Sequence, residues 1–184
     1  MNDIPGLTIL EKFISKDEER ELVKTIKQQK WSKKLKRWTQ HYGYEYDYTT
    51  RVITKDSYLG ELPEWANKTI NKIMKTKLIN NNPDQIIVNR YVPGEGISPH
   101  IDRPTIFDDQ IYSLSLNSGC IMVFSKGKDI REIYLKRRSL LIMEDKARYK
   151  WKHSIKGTQS DTVDGKKKRR GTRYSVTFRK VVLT

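Results

Sequence analysis

A chain of 184 residues, 36% hydrophobic and 10% aromatic, is long enough to bury one core and too apolar for a disordered tail. Its single cysteine, Cys120, excludes an internal disulfide and a multi-cysteine zinc cluster, and no run approaches the roughly 20 apolar residues of a membrane span. With 37 Lys+Arg against 22 Asp+Glu the formal charge is +15, which favours a polyanionic partner, nucleic acid first, over solubility as the sole explanation.

In chain order, the first residues carry Asp3 and no basic-then-apolar leader pattern, so an intracellular protein, cytoplasmic or nuclear, is expected. Ser15-Lys16-Asp17-Glu18 is a capping box. The helix behind it buries Leu22, Val23 and Ile26 on one face and ends near Gln29. A basic stretch leads to Trp38. Tyr42, Tyr44, Tyr46 and Tyr48 then alternate with other residues, and period two predicts one strand with all four rings on one face. Pro63 opens a second helix carrying Trp65, Ala66, Ile70, Ile73 and Met74, which Asn80-Asn81-Asn82-Pro83 ends.

From Gln85 the chain changes to short strands, expected at Gln85–Tyr91, Ile111–Leu116, Cys120–Phe124, Glu132–Leu135, Ser139–Met143, Tyr149–His153 and Arg173–Val182. The polar, glycine-bounded stretch Gly157–Gly171, with Lys166 to Arg170 inside it, is expected to be unstructured, and Cys120 to be a buried thiol. Seven strands behind two helices give an α+β fold, a jelly roll or sandwich with helical support on one side. One domain spans 1–184, with the helices in 1–84 and the strand-rich core in 85–184.

His100 and Asp102 stand two apart after the turn Pro93-Gly94-Glu95-Gly96, so in extended backbone both side chains point the same way. A second imidazole, from His153 at the end of a predicted strand, completes a two-histidine, one-carboxylate set with open positions, which suits a non-haem Fe(II) oxygenase. The same three ligands also suit zinc, and a chance Asp two residues from a His is common. Discrimination comes from a second pattern. Arg173 and Arg179 are an even six residues apart on one strand and face the same side, where buried guanidinium groups require anions such as the far carboxylate of 2-oxoglutarate. Asn89 and Tyr91 are likewise two apart on a strand leading to His100.

These residues carry a resemblance. Asn89-Arg90-Tyr91, Pro99-His100-Ile101-Asp102, Tyr149-Lys150-Trp151-Lys152-His153 and Arg173 to Arg179 resemble the AlkB family of Fe(II)/2-oxoglutarate dioxygenases. Phe107 to Leu116 and Arg137 to Met143 are most similar to its branch that modifies the tRNA wobble uridine. The resemblance implies a double-stranded β-helix core, with Fe(II), 2-oxoglutarate and O2 as cofactor and co-substrates. His100, Asp102 and His153 would ligate iron. Asn89 and Tyr91 would hydrogen-bond 2-oxoglutarate, Arg173 would pair with its far carboxylate, and Arg179 would line the same cavity.

Trp38 and Tyr44 lie where the family places its nucleotide-recognition lid, and either stacks on a flipped base or packs on the sheet. Two positions depart from the family pattern: Ser175, where some members carry Asn, and Arg103-Pro104-Thr105, where the DNA-repair prototype carries an acid. Residues 150–184 hold 11 Lys/Arg against 2 Asp/Glu, and Arg20 to Trp38 holds eight Lys/Arg against one Glu. Both stretches are expected near the mouth of the site as a phosphate track. The expected activity is oxidation of a modified base, by demethylation or stable hydroxylation, in RNA rather than DNA. The alternatives are the same chemistry on a protein or small molecule, and an inactive RNA-binding module.

Overall fold

A computed structural model describes residues 4–50, 52–78 and 81–183. The chain runs β1 (Leu7–Leu10), α1 (Lys16–Gln28), β2 (Trp38–Tyr42), α2 (Glu64–Met74), β3 (Gln85–Tyr91), β4 (Ile97–His100), β5 (Phe107–Leu116), β6 (Cys120–Lys126), β7 (Asp129–Leu135), β8 (Leu140–Met143), α3 (Asp145–Tyr149), β9 (Lys152–Ile155), β10 (Ser160–Val163), β11 (Lys166–Arg169) and β12 (Arg173–Val181). Two antiparallel sheets face each other: a six-stranded sheet in the order β1-β8-β5-β12-β3-β2 and a four-stranded one in the order β4-β9-β6-β7. This is the two-sheet sandwich that the strand pattern implies, with edge strands β1 and β2 drawn from the N-terminal part.

Strict alternation along the three central strands of the large sheet sorts its two faces. Ile86 and Val88 of β3, Tyr112, Leu114 and Leu116 of β5, and Tyr174, Val176 and Phe178 of β12 join Ile14, Ile26, Ala66, Ile70 and Ile73 in one buried cluster. That cluster seats α1 and α2 on the outer face, each fully buried Leu, Ile or Phe contributing about 1.5–3 kcal/mol. The opposite face of the same strands presents Gln85, Asn89, Ser113, Ser115, Arg173, Ser175, Thr177 and Arg179, all buried and all polar. A polar face turned toward a second sheet is costly unless it meets a ligand or itself, and this is where the site lies. Beyond it the inter-sheet core is apolar, with Phe107, Met122, Phe124, Ile133, Leu135 and Trp151. Cys120 is buried in that core.

The capping box forms as read: Ser15 Oγ accepts from Glu18 N–H at 3.1 Å, and Glu18 Oε2 accepts from Ser15 N–H at 2.6 Å. Glu18 then takes Lys72 of α2 at 2.7 Å, joining the two helices. Pro63 caps α2, which ends at Met74, several residues before the expected stop; Asn80 lies outside the described residues. None of the described helices is long and apolar enough to cross a membrane.

Four expectations need correction. The tyrosine segment is not one strand. β2 stops at Tyr42 because Gly43 turns the chain at φ +75°, where a Cβ would sit 1.8 Å from the Asp84 carbonyl oxygen. Tyr42 therefore packs edge-on against Trp65 on the helical side, while Tyr46 and Tyr48 line the cavity between the sheets. Second, the strand expected at Tyr149–His153 is split between α3 and β9, the turn falling at Lys150 and Trp151. Third, Gly157–Gly171 is ordered: β10 and β11 form a hairpin closed by Asp164 and Gly165, with φ 52° and 71°, the two positive values that a tight I′ turn demands. Fourth, β1 and β4 are additional strands, each four residues long.

Candidate metal and co-substrate site

β4 and β9 are antiparallel neighbours, and their register sets His100 directly opposite His153. The loop before β4 approaches β9 so closely that a Cβ on Gly96 would lie 2.1 Å from the Ile155 carbonyl oxygen. The two imidazole centroids are 4.3 Å apart, and Asp102 Oδ1 is 3.7 Å from His100 Nε2. One ligand atom from each of His100, Asp102 and His153 lies within 4.8 Å of the others, the one such grouping of possible metal ligands among the described residues.

The protonation states suit a cation. His100 Nδ1 is 2.8 Å from the Ser98 carbonyl, which only accepts, so Nδ1 carries the hydrogen and Nε2 offers its lone pair. Burial pushes His153 down to about 4, keeping it neutral at physiological pH. For Asp102 burial works against the charge, but Arg179, His153 and His100 outweigh it and hold the carboxyl well below the usual carboxylate range. Arg179 straddles that carboxylate, Nε at 3.2 Å from Oδ2 and Nη2 at 3.3 Å from Oδ1. A carboxylate and the neutral His153 imidazole are ligand forms a divalent ion takes without displacing protons, and His100 turns its Nε2 to the same point.

Beside the triad opens a cavity of about 910 Å³. The polar inner face of the large sheet forms one wall, through Asn89, Tyr91, Ser175, Arg173 and Arg179; Met122, His153 and Ile155 form the other. Arg173 is only 2% exposed. Its Nη2 donates to Ser115 Oγ at 2.8 Å, yet its Nε and Nη1 are buried with no hydrogen-bond partner among the described residues. Leaving such donors unpaired costs about 1–3 kcal/mol each, more for a charged group. A carboxylate reaching Arg173 would satisfy both, so the residues present fit the far end of a keto-dicarboxylic acid whose near end meets the metal. Asn89 is oriented for the same purpose. Its Oδ1 accepts from Arg37 Nε at 2.8 Å, which turns the amide NH2 free to donate.

The structure thus brings seven of the nine singled-out residues to one cavity: His100, Asp102, His153, Asn89, Tyr91, Arg173 and Arg179. Trp38 and Tyr44 are not among its lining residues. Trp38 is held between Lys33 Nζ, 4.4 Å from the ring centroid, and Arg90 Cζ, 4.2 Å from it, while Tyr44 packs on Tyr58 at 5.2 Å. At the mouth stand Lys36, Arg37, Tyr46 and Tyr48 instead. The tyrosine pair is edge-to-face at 5.1 Å, and His41 braces it by accepting the Tyr46 N–H at 3.2 Å. Of the basic stretch from Arg20 to Trp38, only Lys36 and Arg37 reach the cavity.

Sequence reading also missed Arg148. Buried in α3, it donates to the carbonyls of Asp102 at 2.6 Å, Phe107 at 3.0 Å and Arg103 at 3.3 Å, and so fixes the loop that aims Asp102. No local pattern marks it. Ser113 and Ser115 were legible in principle, since small polar residues alternate with Leu in an otherwise buried strand.

Fold and donor set together define an Fe(II)/2-oxoglutarate oxygenase, and residues 24–179 match the 2OG-Fe(II) oxygenase superfamily. The chain belongs to that superfamily and, within it, to the AlkB family. It is 40% identical to protein L905 of Acanthamoeba polyphaga mimivirus over 98% of this chain and 87% of the relative. It is 37% identical to the mouse tRNA (carboxymethyluridine(34)-5-O)-methyltransferase ALKBH8 over 96% of this chain, and spans 30% of that protein's length. A Caenorhabditis elegans DNA N6-methyl adenine demethylase is 29% identical over 83% of this chain and 55% of its own. The fold matches the solved OsALKBH1 structure with a TM-score of 0.71 at 19% identity, covering 96% of this chain and 97% of the other. The enzyme is accordingly a dioxygenase that uses Fe(II), 2-oxoglutarate and O2.

Proposed function

We propose that this dioxygenase oxidises a modified base in nucleic acid, RNA in preference to DNA, with His100, Asp102 and His153 as its iron ligands. The observation that carries the substrate class is the mouth of the cavity. Lys36 and Arg37 supply two cations, and Tyr46 and Tyr48 two stackable rings, where a base swung out of its strand would enter. The β10–β11 hairpin adds Lys166, Lys167, Lys168 and Arg169, all exposed. Its base is tied to the loop preceding β4 by Gly94 N–H to the Thr158 carbonyl at 3.1 Å and Gln159 Nε2 to the Pro93 carbonyl at 3.4 Å. The strand that carries these four cations is therefore anchored, through the base of the hairpin, to the turn that leads into β4. Relatives whose names specify a tRNA uridine and a DNA adenine agree with a nucleic-acid substrate, and the higher identity of the former favours RNA.

When bound, iron couples the oxidative decarboxylation of 2-oxoglutarate to succinate and CO2 with hydroxylation of a substrate C–H bond. The chain's own residues arrange that event. Arg173 receives the far carboxylate of the co-substrate, and Asn89 and Tyr91 donate to it from the same sheet face. Arg179 keeps Asp102 ionised and oriented. Tyr46 and Tyr48 close the mouth on the base and exclude water. Hydroxylation of an N-methyl carbon releases formaldehyde; hydroxylation of a carbon-bound position leaves a stable alcohol.

Nucleoside mass spectrometry tests this reading. A pool of bulk tRNA and of methylated RNA and DNA oligonucleotides is incubated with protein, Fe(II), 2-oxoglutarate and O2, beside a His100→Ala control. Loss of one methylated nucleoside, or gain of one hydroxylated species, with the intact protein only is the expected result. An unchanged pool at full iron occupancy sinks the nucleic-acid reading.

A further inference from the structure

A second concavity, of about 680 Å³, lies between α1 and the segments that follow β5 and β7, and shares no lining residue with the catalytic cavity. One wall is the stripe Lys16, Arg20, Lys24 and Lys27, spaced four, four and three apart and therefore on one helical face. The other wall is Asn117, after β5, with Arg137 and Arg138, after β7. Six cations line it against one acid, Glu19, and that acid is consumed internally. Glu19 is 2% exposed, accepts from Arg137 Nη2 at 2.6 Å, and accepts the Asn117 N–H at 2.8 Å. Arg20 pairs with Asp17 at 2.6 Å. Lys16, Lys24 and Lys27 have no ion-pair partner among the described residues. Arg138 sits at φ +66°, and its Nε, 3.8 Å from Glu19, is buried without a hydrogen-bond partner among the described residues.

We propose that this groove binds the phosphodiester backbone of the RNA substrate away from the target nucleotide; the proposal rests on the nucleic-acid reading of the active site. The stripe from Lys16 to Lys27 extends over about 16 Å of helix at 1.5 Å per residue. A row of that length suits successive phosphates, whereas a single small anion would engage only part of it. The groove also leads toward the active site. Past the C-terminal end of α1, where Gln40 Nε2 donates to the Ile26 carbonyl at 2.9 Å, come Trp31 and Trp38, 6.5 Å apart. Trp38 carries Lys33 and Arg90 on its ring, and Lys36 and Arg37 follow at the cavity mouth. Cations and aromatic rings thus follow the chain from the end of the groove, round the β2 edge of the sheet, to the lining of the catalytic cavity, with the phosphates fixing where the strand lies and the mouth selecting the base.

The test compares wild type with Lys24→Gln/Lys27→Gln. These side chains touch neither the metal ligands nor the co-substrate pocket, so metal and 2-oxoglutarate binding are expected to be unchanged. Affinity for tRNA and for a trinucleotide is read by fluorescence anisotropy at 50 and 200 mM salt. Loss of two phosphate contacts lowers the salt slope by about 1.4, so between the two salts the variant should lose about 7-fold less tRNA affinity than wild type. The trinucleotide, too short to span groove and mouth, should bind both proteins equally. Equal tRNA affinity and equal slope in the two proteins would overturn the groove while leaving the catalytic reading intact. So would a variant that keeps its tRNA affinity but loses binding to polyglutamate, which would assign the groove to an acidic protein segment. Wild type that binds no RNA overturns both.

Discussion

Replacing Arg173 with Met removes a buried guanidinium whose Nε and Nη1 have no partner among the described residues, and leaves a side chain of comparable length against Tyr91. Two consequences of opposite sign follow. Without co-substrate the variant loses one hydrogen bond, to Ser115, worth roughly 1 kcal/mol net. It also loses an incompletely paired buried charge, whose removal is often neutral or stabilising. Its melting temperature should therefore stay within a few degrees of wild type. The co-substrate, however, loses the cation that meets its far carboxylate. Truncating one partner of a buried charge pair costs about 2–5 kcal/mol, which corresponds to a Kd at least 30-fold higher. Anaerobic calorimetric titration of 2-oxoglutarate into protein loaded with Mn(II) measures it directly. Arg173→Lys keeps the charge but not the two-pronged donor geometry, and should fall between the two. A 2-oxoglutarate affinity within about 3-fold of wild type in Arg173→Met, at the same metal occupancy, would refute the assignment of this arginine.

Asp161 and Arg170 form a bidentate buried pair at 2.6 and 2.7 Å that anchors the basic hairpin. Asp161→Ala strands the guanidinium and should cost about 3 kcal/mol, a fall of roughly 6–12 °C in Tm by calorimetry; a shift under 2 °C would show the pair to be dispensable. Tyr48→Ala should weaken single-stranded RNA binding by about 1–3 kcal/mol with metal affinity unchanged, whereas Tyr44→Ala should leave RNA binding as it is, both read by anisotropy. Burial pushes His41 and His153 each down to about 4, so the unfolded chain, titrating near 6.5, binds up to two more protons as the pH falls between these values. Stability of the metal-free protein is then fully present above about pH 6.5 and should be lost toward pH 4 at up to about 2.7 kcal/mol per unit. His41→Gln should halve that slope in urea melts, and a flat profile would contradict the burial argument.

The parts of the site that could be read in advance are those fixed by backbone periodicity. An even spacing in extended chain means one direction, and on that ground His100 with Asp102, Asn89 with Tyr91, and Arg173 with Arg179 were expected to converge, as they do in one cavity. The same rule failed for the tyrosines, because it holds only while the strand continues, and Gly43 turns the chain for a tertiary reason: the Asp84 carbonyl occupies the space where a side chain would stand. The hairpin was hidden differently. Asp164-Gly165 is a strong turn signal, but lysine-rich flanks with no apolar alternation do not look like strands, since β11 is exposed along its whole length and needs none. Arg148 was out of reach, because what makes it important is a set of carbonyls some forty residues away.

β12 is a single nine-residue strand, and from Arg173 to Arg179 its odd positions are chemical and its even positions structural. A one-residue slip of this stretch would carry Tyr174, Val176 and Phe178 into the catalytic cavity and Arg173 and Arg179 beneath the helices, where no anion awaits them, and a deletion or insertion within it would do so for the residues on one side of the change. Misaligned pairing during folding meets the same penalty, so the arginines that serve the co-substrate also act as proofreaders of strand alignment. Natural and laboratory variation should accordingly tolerate length changes in the loops on either side of β12 and reject them inside it.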